Sequence, residues 1–101
     1  MNAFNLAIIA RIEAKPEKTT EVENLLKNAL TLAKQENHTT SWFALKIGKN
    51  SYGIFDTFEN KEGRERHLNG KIAQALLGKV EELLSCPPEI IKAEVIAAKP
   101  I

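Results

Sequence analysis

Ile54–Leu68, IFDTFENKEGRERHL, is the stretch whose reading decides the fold. It starts inside the run Tyr52-Gly53-Ile54-Phe55-Asp56-Thr57-Phe58, which is dense in aromatic and β-branched residues and reads as a strand. At Asn60 the pattern changes. An Asn caps a helix by accepting a hydrogen bond from an orphan backbone N–H, and charged helix formers follow it here. The junction therefore sets Asp56 and Phe58, at the end of a strand, beside the first turns of a helix carrying Arg64 and His67. An acid, an imidazole and an aromatic ring at such a junction are a common setting for small-molecule chemistry. The plain alternative is a capped helix with a solvated His. Gly63 inside the helix costs about 1 kcal/mol relative to Ala. It points either to a close approach by another backbone or a ligand, or to tolerated slack.

Working outward, Ser41–Ile47 (SWFALKI) is a strand joined to Tyr52–Phe58 by the polar turn Gly48-Lys49-Asn50-Ser51, an antiparallel hairpin of ordinary loop length. Leu6–Ala14 (LAIIARIEA) alternates Leu6, Ile8, Ala10, Ile12 and Ala14 on one face against Ala7, Ile9, Arg11 and Glu13 on the other. A strand apolar on one face and half apolar on the other is expected at the centre of its sheet. Pro16 ends it. Thr19 or Thr20 opens a helix, with Thr20 and Glu23 in capping-box spacing. Val22, Leu25, Leu26, Ala29, Leu32 and Ala33 form its apolar stripe, and it stops near Glu36-Asn37-His38. Asn69-Gly70 ends the helix after Asn60. Lys71–Leu84 resumes helical periodicity through Ile72, Leu76, Leu77, Val80, Leu83 and Leu84. Pro87-Pro88 terminates it, and Glu89–Ala98 is the last strand, with Ile91, Ala93, Val95 and Ala97 on one face.

The order β-α-β-β-α-β defines an α+β, ferredoxin-like fold: a four-stranded antiparallel sheet with both helices on one face. At 101 residues the chain is a single domain, 1–101. Both sheet faces carry apolar residues, Phe43, Leu45, Ile47 and Phe55 on one and Trp42, Ile54 and Phe58 on the other. A chain this short cannot bury both alone, so a two-fold homodimer with facing sheets is expected.

Fourteen basic against thirteen acidic residues leave no strong field, which argues against nucleic acid and anionic membrane as partners. The longest apolar runs are too short to span a bilayer, and the start shows no secretory pattern. The single cysteine, Cys86, excludes an internal disulfide and a cysteine-rich zinc site and reads as a spectator thiol. A cytoplasmic location is the default. His38, in the polar run NHTTS, fits no metal spacing and reads as a solvated loop residue.

The chain resembles the antibiotic biosynthesis monooxygenase family of dimeric α+β barrel proteins. The resemblance rests on Ala10-Arg11-Ile12 with Lys15-Pro16-Glu17, on Trp42-Phe43-Ala44-Leu45, on Gly53–Phe58, and on Gly63-Arg64 with His67-Leu68. It implies a homodimer with a pocket between sheet and helices. It also implies oxygenation of a small aromatic, phenolic or quinol-type substrate by O2 without metal, flavin or other cofactor. Triplet oxygen reacts poorly with closed-shell molecules unless the substrate becomes an easily oxidised anion, so the protein must hold an aromatic in a dry pocket and remove a proton. His67 is the candidate base, since free His titrates at about 6.5. Asp56 is its candidate orienting partner, and Trp42, Tyr52, Ile54, Phe58 and Arg64 are the candidate substrate-binding residues. Haem-degrading relatives of this fold use an Asn, a Trp and an iron-ligating His where this chain has Ile9, Phe58 and Leu76. Leu cannot ligate iron, which argues against haem. The alternative function is a non-catalytic dimer binding a small apolar metabolite.

Overall fold

β1 (Leu6–Glu13) sits between two antiparallel neighbours, β3 (Ser51–Phe58) and β4 (Glu89–Glu94). With β2 (Ser41–Lys46) paired to β3, the sheet order is β2-β3-β1-β4, and the strand expected at the centre is one of the two inner strands. These features come from a computed structural model that describes residues 3–100; the ends of the 1–101 domain, residues 1, 2 and 101, lie outside the described residues. Among the described residues no helix is long and apolar enough to cross a membrane.

The register places Leu6 opposite Phe58, Ile8 opposite Asp56, Ala10 opposite Ile54 and Ile12 opposite Tyr52, so these side chains share one sheet face. That face is covered by α1 (Thr19–Lys34), α2 (Lys61–Leu68), α3 (Lys71–Leu77) and the single turn α4 (Val80–Leu83). Ala10, Ile12, Tyr52 and Ile54 pack there with Val22, Leu26, Leu76, Leu83 and Leu84 into the main core. The opposite face has no helix. A row of apolar side chains, Phe43, Phe55, Ile9 and Ile91, crosses it over all four strands. Phe43 is 50% exposed and Ile47 52%, so the apolar surplus expected from the sequence is present in the single chain.

Three local expectations are corrected. A 3-10 turn, Pro16–Lys18, leads directly into α1, so Thr20 lies inside the helix and cannot act as its cap; Glu23 is engaged elsewhere. The Lys71–Leu84 helix is broken at Gly78-Lys79, where Lys79 N–H turns back to Leu76 carbonyl at 3.1 Å. The break lets Leu83 and Leu84 reach the core beside Ala14, while Leu77, expected on the stripe, is 61% exposed. The last strand ends at Glu94 and not at Ala98, because its neighbour β1 begins at Leu6, the residue paired with Glu94. Beyond it, Val95 N–H bonds to Asn5 carbonyl and Ile96 is free of the fold at 98% exposure.

Asn60 caps α2 as expected, its side chain accepting from the Gly63 N–H at 2.9 Å. Gly63 itself is explained by a backbone. A Cβ at this position would lie 3.0 Å from the His38 carbonyl oxygen and 3.3 Å from the His38 Cβ. The segment after α1 therefore crosses directly over the first turn of α2. Gly63→Val is expected to lower stability by about 1–3 kcal/mol through this overpacking, measured by urea denaturation. Unchanged stability would mean that the His38 segment moves aside freely.

Candidate functional site

Asp56 and His67 meet as the sequence suggested, but in the interior. The alternation of β3 turns Asp56 inward, and α2 carries His67 back over the sheet so that its Nε2 lies 2.7 Å from Asp56 Oδ2. The other ring nitrogen, Nδ1, lies 2.7 Å from Glu36 Oε1, just past the end of α1. Thr39 Oγ1 donates to the same Glu36 oxygen at 2.6 Å, and His38 Nε2 stands 3.6 Å from it. Phe58 closes the cluster, with its ring 5.3 Å from the imidazole, and has no exposed surface. Asp56 is 0% exposed and His67 6%. His38, read from the sequence as a solvated loop residue, is half-buried beside this group.

Charge bookkeeping in this cluster favours an imidazolium. Burial works against the charged ring, but the contacts from Asp56 and then Glu36 outweigh it and hold the His67 pKa above its ordinary value. Burial likewise raises the Asp56 carboxyl, and the neighbouring imidazolium offsets this only in part. Neither Asp56 oxygen receives a well-aligned hydrogen bond, so the charge of His67 is the main compensation for keeping a carboxylate dry. One imidazolium between two carboxylates ties β3, α2 and the end of α1 together. Among the described residues no group of three His, Cys, Asp or Glu side chains is arranged to hold a metal ion.

Trp42 and Tyr52 lie elsewhere. They line a pocket of about 420 Å³ between α1 and the edge strand β2, with Leu26, Leu30, Phe43 and Leu45 supplying further apolar wall. The volume falls within the usual range for small-molecule sites. Its polar edge is built by Glu23, which accepts a hydrogen bond from Tyr52 Oη at 2.7 Å and another from Lys46 Nζ at 3.0 Å. The Tyr52 hydrogen bond, then Lys46, holds the Glu23 carboxyl below its usual range. Burial, then the same Glu23 contact, pushes the Tyr52 hydroxyl up. Lys46 also lies 5.9 Å from the centre of the Tyr52 ring.

The remaining candidates separate further. Ile54 lines a different cavity of about 120 Å³ between α1, α3 and the sheet, apolar except for Asn28. That is below the roughly 150 Å³ of an engineered cavity that admits benzene. Arg64 is half-buried and donates from Nη1 to the Ala93 carbonyl at 3.3 Å, bracing α2 against β4. Asp56 and His67 line neither of these cavities, nor the polar hollow of about 300 Å³ around His38, Asn60 and Arg66. Sequence reasoning missed Glu36 and Lys46, and gave Glu23 a capping role. Glu36 lies far from His67 along the chain, and no local spacing joins them. Glu23 is one turn beyond the start of α1, on the side facing β2, which amphipathic counting around the helix can suggest but not establish.

No family model and no curated protein matches the chain. Solved structures do. The NE2512 protein of unknown function from Nitrosomonas europaea is 46% identical over 100% of this chain and 98% of its own, with a TM-score of 0.96. A "putative antibiotic biosynthesis monooxygenase" from Nitrosomonas europaea has a TM-score of 0.81 at 10% identity, over 91% of this chain and 99% of its own. A protein of the same description from Deinococcus radiodurans has a TM-score of 0.79 at 16% identity, over 95% and 97%. At such identities the last two likenesses are likenesses of fold.

The buried cluster generates a pH prediction. A folded-state His67 pKa above the ordinary 6.5 means that its contribution to stability is complete below about pH 6.5 and is lost as pH rises through the folded value. The raised Asp56 has the same sign, its contribution being present below its ordinary 3.8 and declining above it. The thermal midpoint is therefore expected to fall as pH rises from about 6.5, and His67→Gln to flatten that slope. His67→Ala, which strands Asp56, is expected to cost about 3–5 kcal/mol, read from urea denaturation at pH 6. A wild-type midpoint that climbs with pH over this range would contradict the assignment.

Proposed function

We propose that this chain, which belongs to one family with the NE2512 protein and has the antibiotic biosynthesis monooxygenase fold, oxygenates a small phenolic or quinol-type aromatic with O2 in the pocket between α1 and β2. The observation that carries the reading is the pocket itself: apolar walls with Trp42 and Tyr52, and one polar edge of Glu23 and Lys46. A substrate hydroxyl takes up the hydrogen-bonding capacity of Glu23, and Lys46 supplies positive charge beside the oxyanion that must form before oxygen reacts. At an activated CH2 the balance is simple. The carbon gives up two hydrogens and gains one oxygen of O2 as a carbonyl, and the second oxygen leaves with those hydrogens as water. The electrons come from the substrate, so no external reductant enters, and no cofactor is part of the proposal.

His67 and Asp56, expected from the sequence as the base and its partner, hold α2 against β3 in this proposal and take no part in the reaction, because they are buried beside Phe58 and line none of the three cavities described above. Phe58 and Arg64 hold the same junction, and Ile54 forms the floor under α1 and α3. A second copy laid sheet to sheet covers the row Phe43, Phe55, Ile9 and Ile91, and the homodimer is part of the proposal. The setting is the cytoplasm, where the free, exposed Cys86 stays reduced. The enclosure of His67 also favours a second reading, a non-catalytic dimer that binds a small apolar metabolite in the same pocket.

Oxygen uptake with a panel of anthrones, quinols and catechols separates the two. Turnover is expected with at least one class and is expected to fall about 10²-fold or more in Glu23→Gln, while His67→Gln keeps its rate per folded molecule. Loss of turnover in a folded His67→Gln would return the base role to His67, and no turnover across the panel would leave the binding reading. Sedimentation of the wild type at micromolar concentration is expected to give a dimer, and Phe43→Asp with Ile91→Asp a monomer. A wild-type monomer would remove the sheet-to-sheet arrangement.

A further inference from the structure

We propose that the pocket between α1 and β2 selects a singly charged aromatic anion, such as an aryl carboxylate or an acidic phenolate, and that Lys27 is the residue that selects it. The inference rests on the oxygenase reading only for the location of the pocket. The walls supply a slot for a ring: Leu26, Leu30 and Trp42 form it, and Phe43 and Leu45, whose side chains belong to the open sheet face, border it along the β2 edge; Leu30 stays exposed at 42% in the single chain. The charged lining is asymmetric. Glu23, Lys27 and Lys46 are its ionisable side chains besides Tyr52, one negative and two positive, so the lining carries an excess of one positive charge.

These charges are not equivalent. Lys46 is paired with Glu23 at 3.0 Å, and Tyr52 Oη donates to the same Glu23 oxygen. Lys27 makes no ion pair or hydrogen bond to any described residue; its charge acts on Glu23 only through space. It sits one helical turn beyond Glu23 on the same face of α1, at the mouth of an apolar pocket. An unspent ammonium beside apolar walls attracts a ligand that brings a ring and one negative charge, since low-dielectric walls strengthen the pairing. The base chemistry agrees. Glu23 is held as a carboxylate by its donors and is a weak proton acceptor, so the pocket suits a substrate that arrives ionised more than one that must be deprotonated there.

Trp42 is the sole tryptophan of the chain and lines this pocket, so its fluorescence reports occupancy without any reaction. The test titrates the full-length protein with benzoate, 4-hydroxybenzoate and the neutral benzyl alcohol at pH 7.5. Saturable quenching by both anions is expected, with a Kd at least tenfold below that of benzyl alcohol and weakening as salt is raised. Lys27→Glu is expected to weaken benzoate at least tenfold and leave benzyl alcohol unchanged, with an unaltered circular dichroism spectrum; Lys27→Arg is expected to restore the preference. Equal binding of neutral and anionic ligands, an anion preference indifferent to Lys27→Glu, or no quenching by any of the three would overturn the proposal. The last result includes the case in which a segment of a second copy fills the pocket. Anion binding without oxygen uptake would retire the oxygenase reading and keep this one, and uptake with neutral quinols but no anion preference would do the reverse.

Discussion

The alternation of β3 is the constraint on which the rest of this molecule depends. Helices cover only one face of the sheet, so every second residue of Ser51–Phe58 is committed to the interior. Tyr52, Ile54, Asp56 and Phe58 are those residues. Tyr52 meets Glu23 of α1, Ile54 the small cavity under α1 and α3, and Asp56 and Phe58 both meet the imidazole of α2. Two polar contacts to one strand thus fix two helices against it.

The same alternation explains why the candidate residues do not form one site. A strand advances about 3.3–3.4 Å per residue, so Tyr52 and Asp56, four residues apart, stand about 13 Å from one another. A ligand of one or two rings cannot touch both. The polar residues of β3 therefore sort into an outer centre at the β2 edge, open and lined by rings, and an inner centre that is dry and ionic. The outer one has space for chemistry. The inner one carries charge that the fold has to compensate, and it does so with one cation between two carboxylates.

The inner cluster also has a cost that hydrophobic packing would not have. A buried ion pair seldom adds much over a well-packed apolar replacement, though removing one partner is strongly destabilising. What it adds is specificity of position: α2 is a weakly amphipathic helix whose buried residues are only Gly63 and His67. An eight-residue helix with so little apolar surface cannot dock by hydrophobic contact alone. The His67 contacts, the Arg64 bond to the Ala93 carbonyl and the close crossing at Gly63 dock it instead.

The order of elements, the hairpin, the Asn60 cap, the split into a covered and an open sheet face, and the pairing of Asp56 with His67 were all legible in the amino-acid sequence. Each follows from period-two or 3.6-residue patterning and from local capping chemistry, which act over a few residues. The start of α1 at Thr19 was legible too, but the 3-10 turn that replaces its expected cap, the break at Gly78-Lys79 and the end of β4 at Glu94 were not, because they depend on what the segment meets across the fold. The same holds for Glu36 beside His67, Glu23 beside Tyr52 and His38 over Gly63. These pairs join residues far apart in the chain, and nothing in the local pattern of either partner encodes the other. Sequence by itself determined which faces are apolar and where polar groups leave the pattern; tertiary packing decided which of those groups are sealed and which border a space, because enclosure is a property of several segments at once.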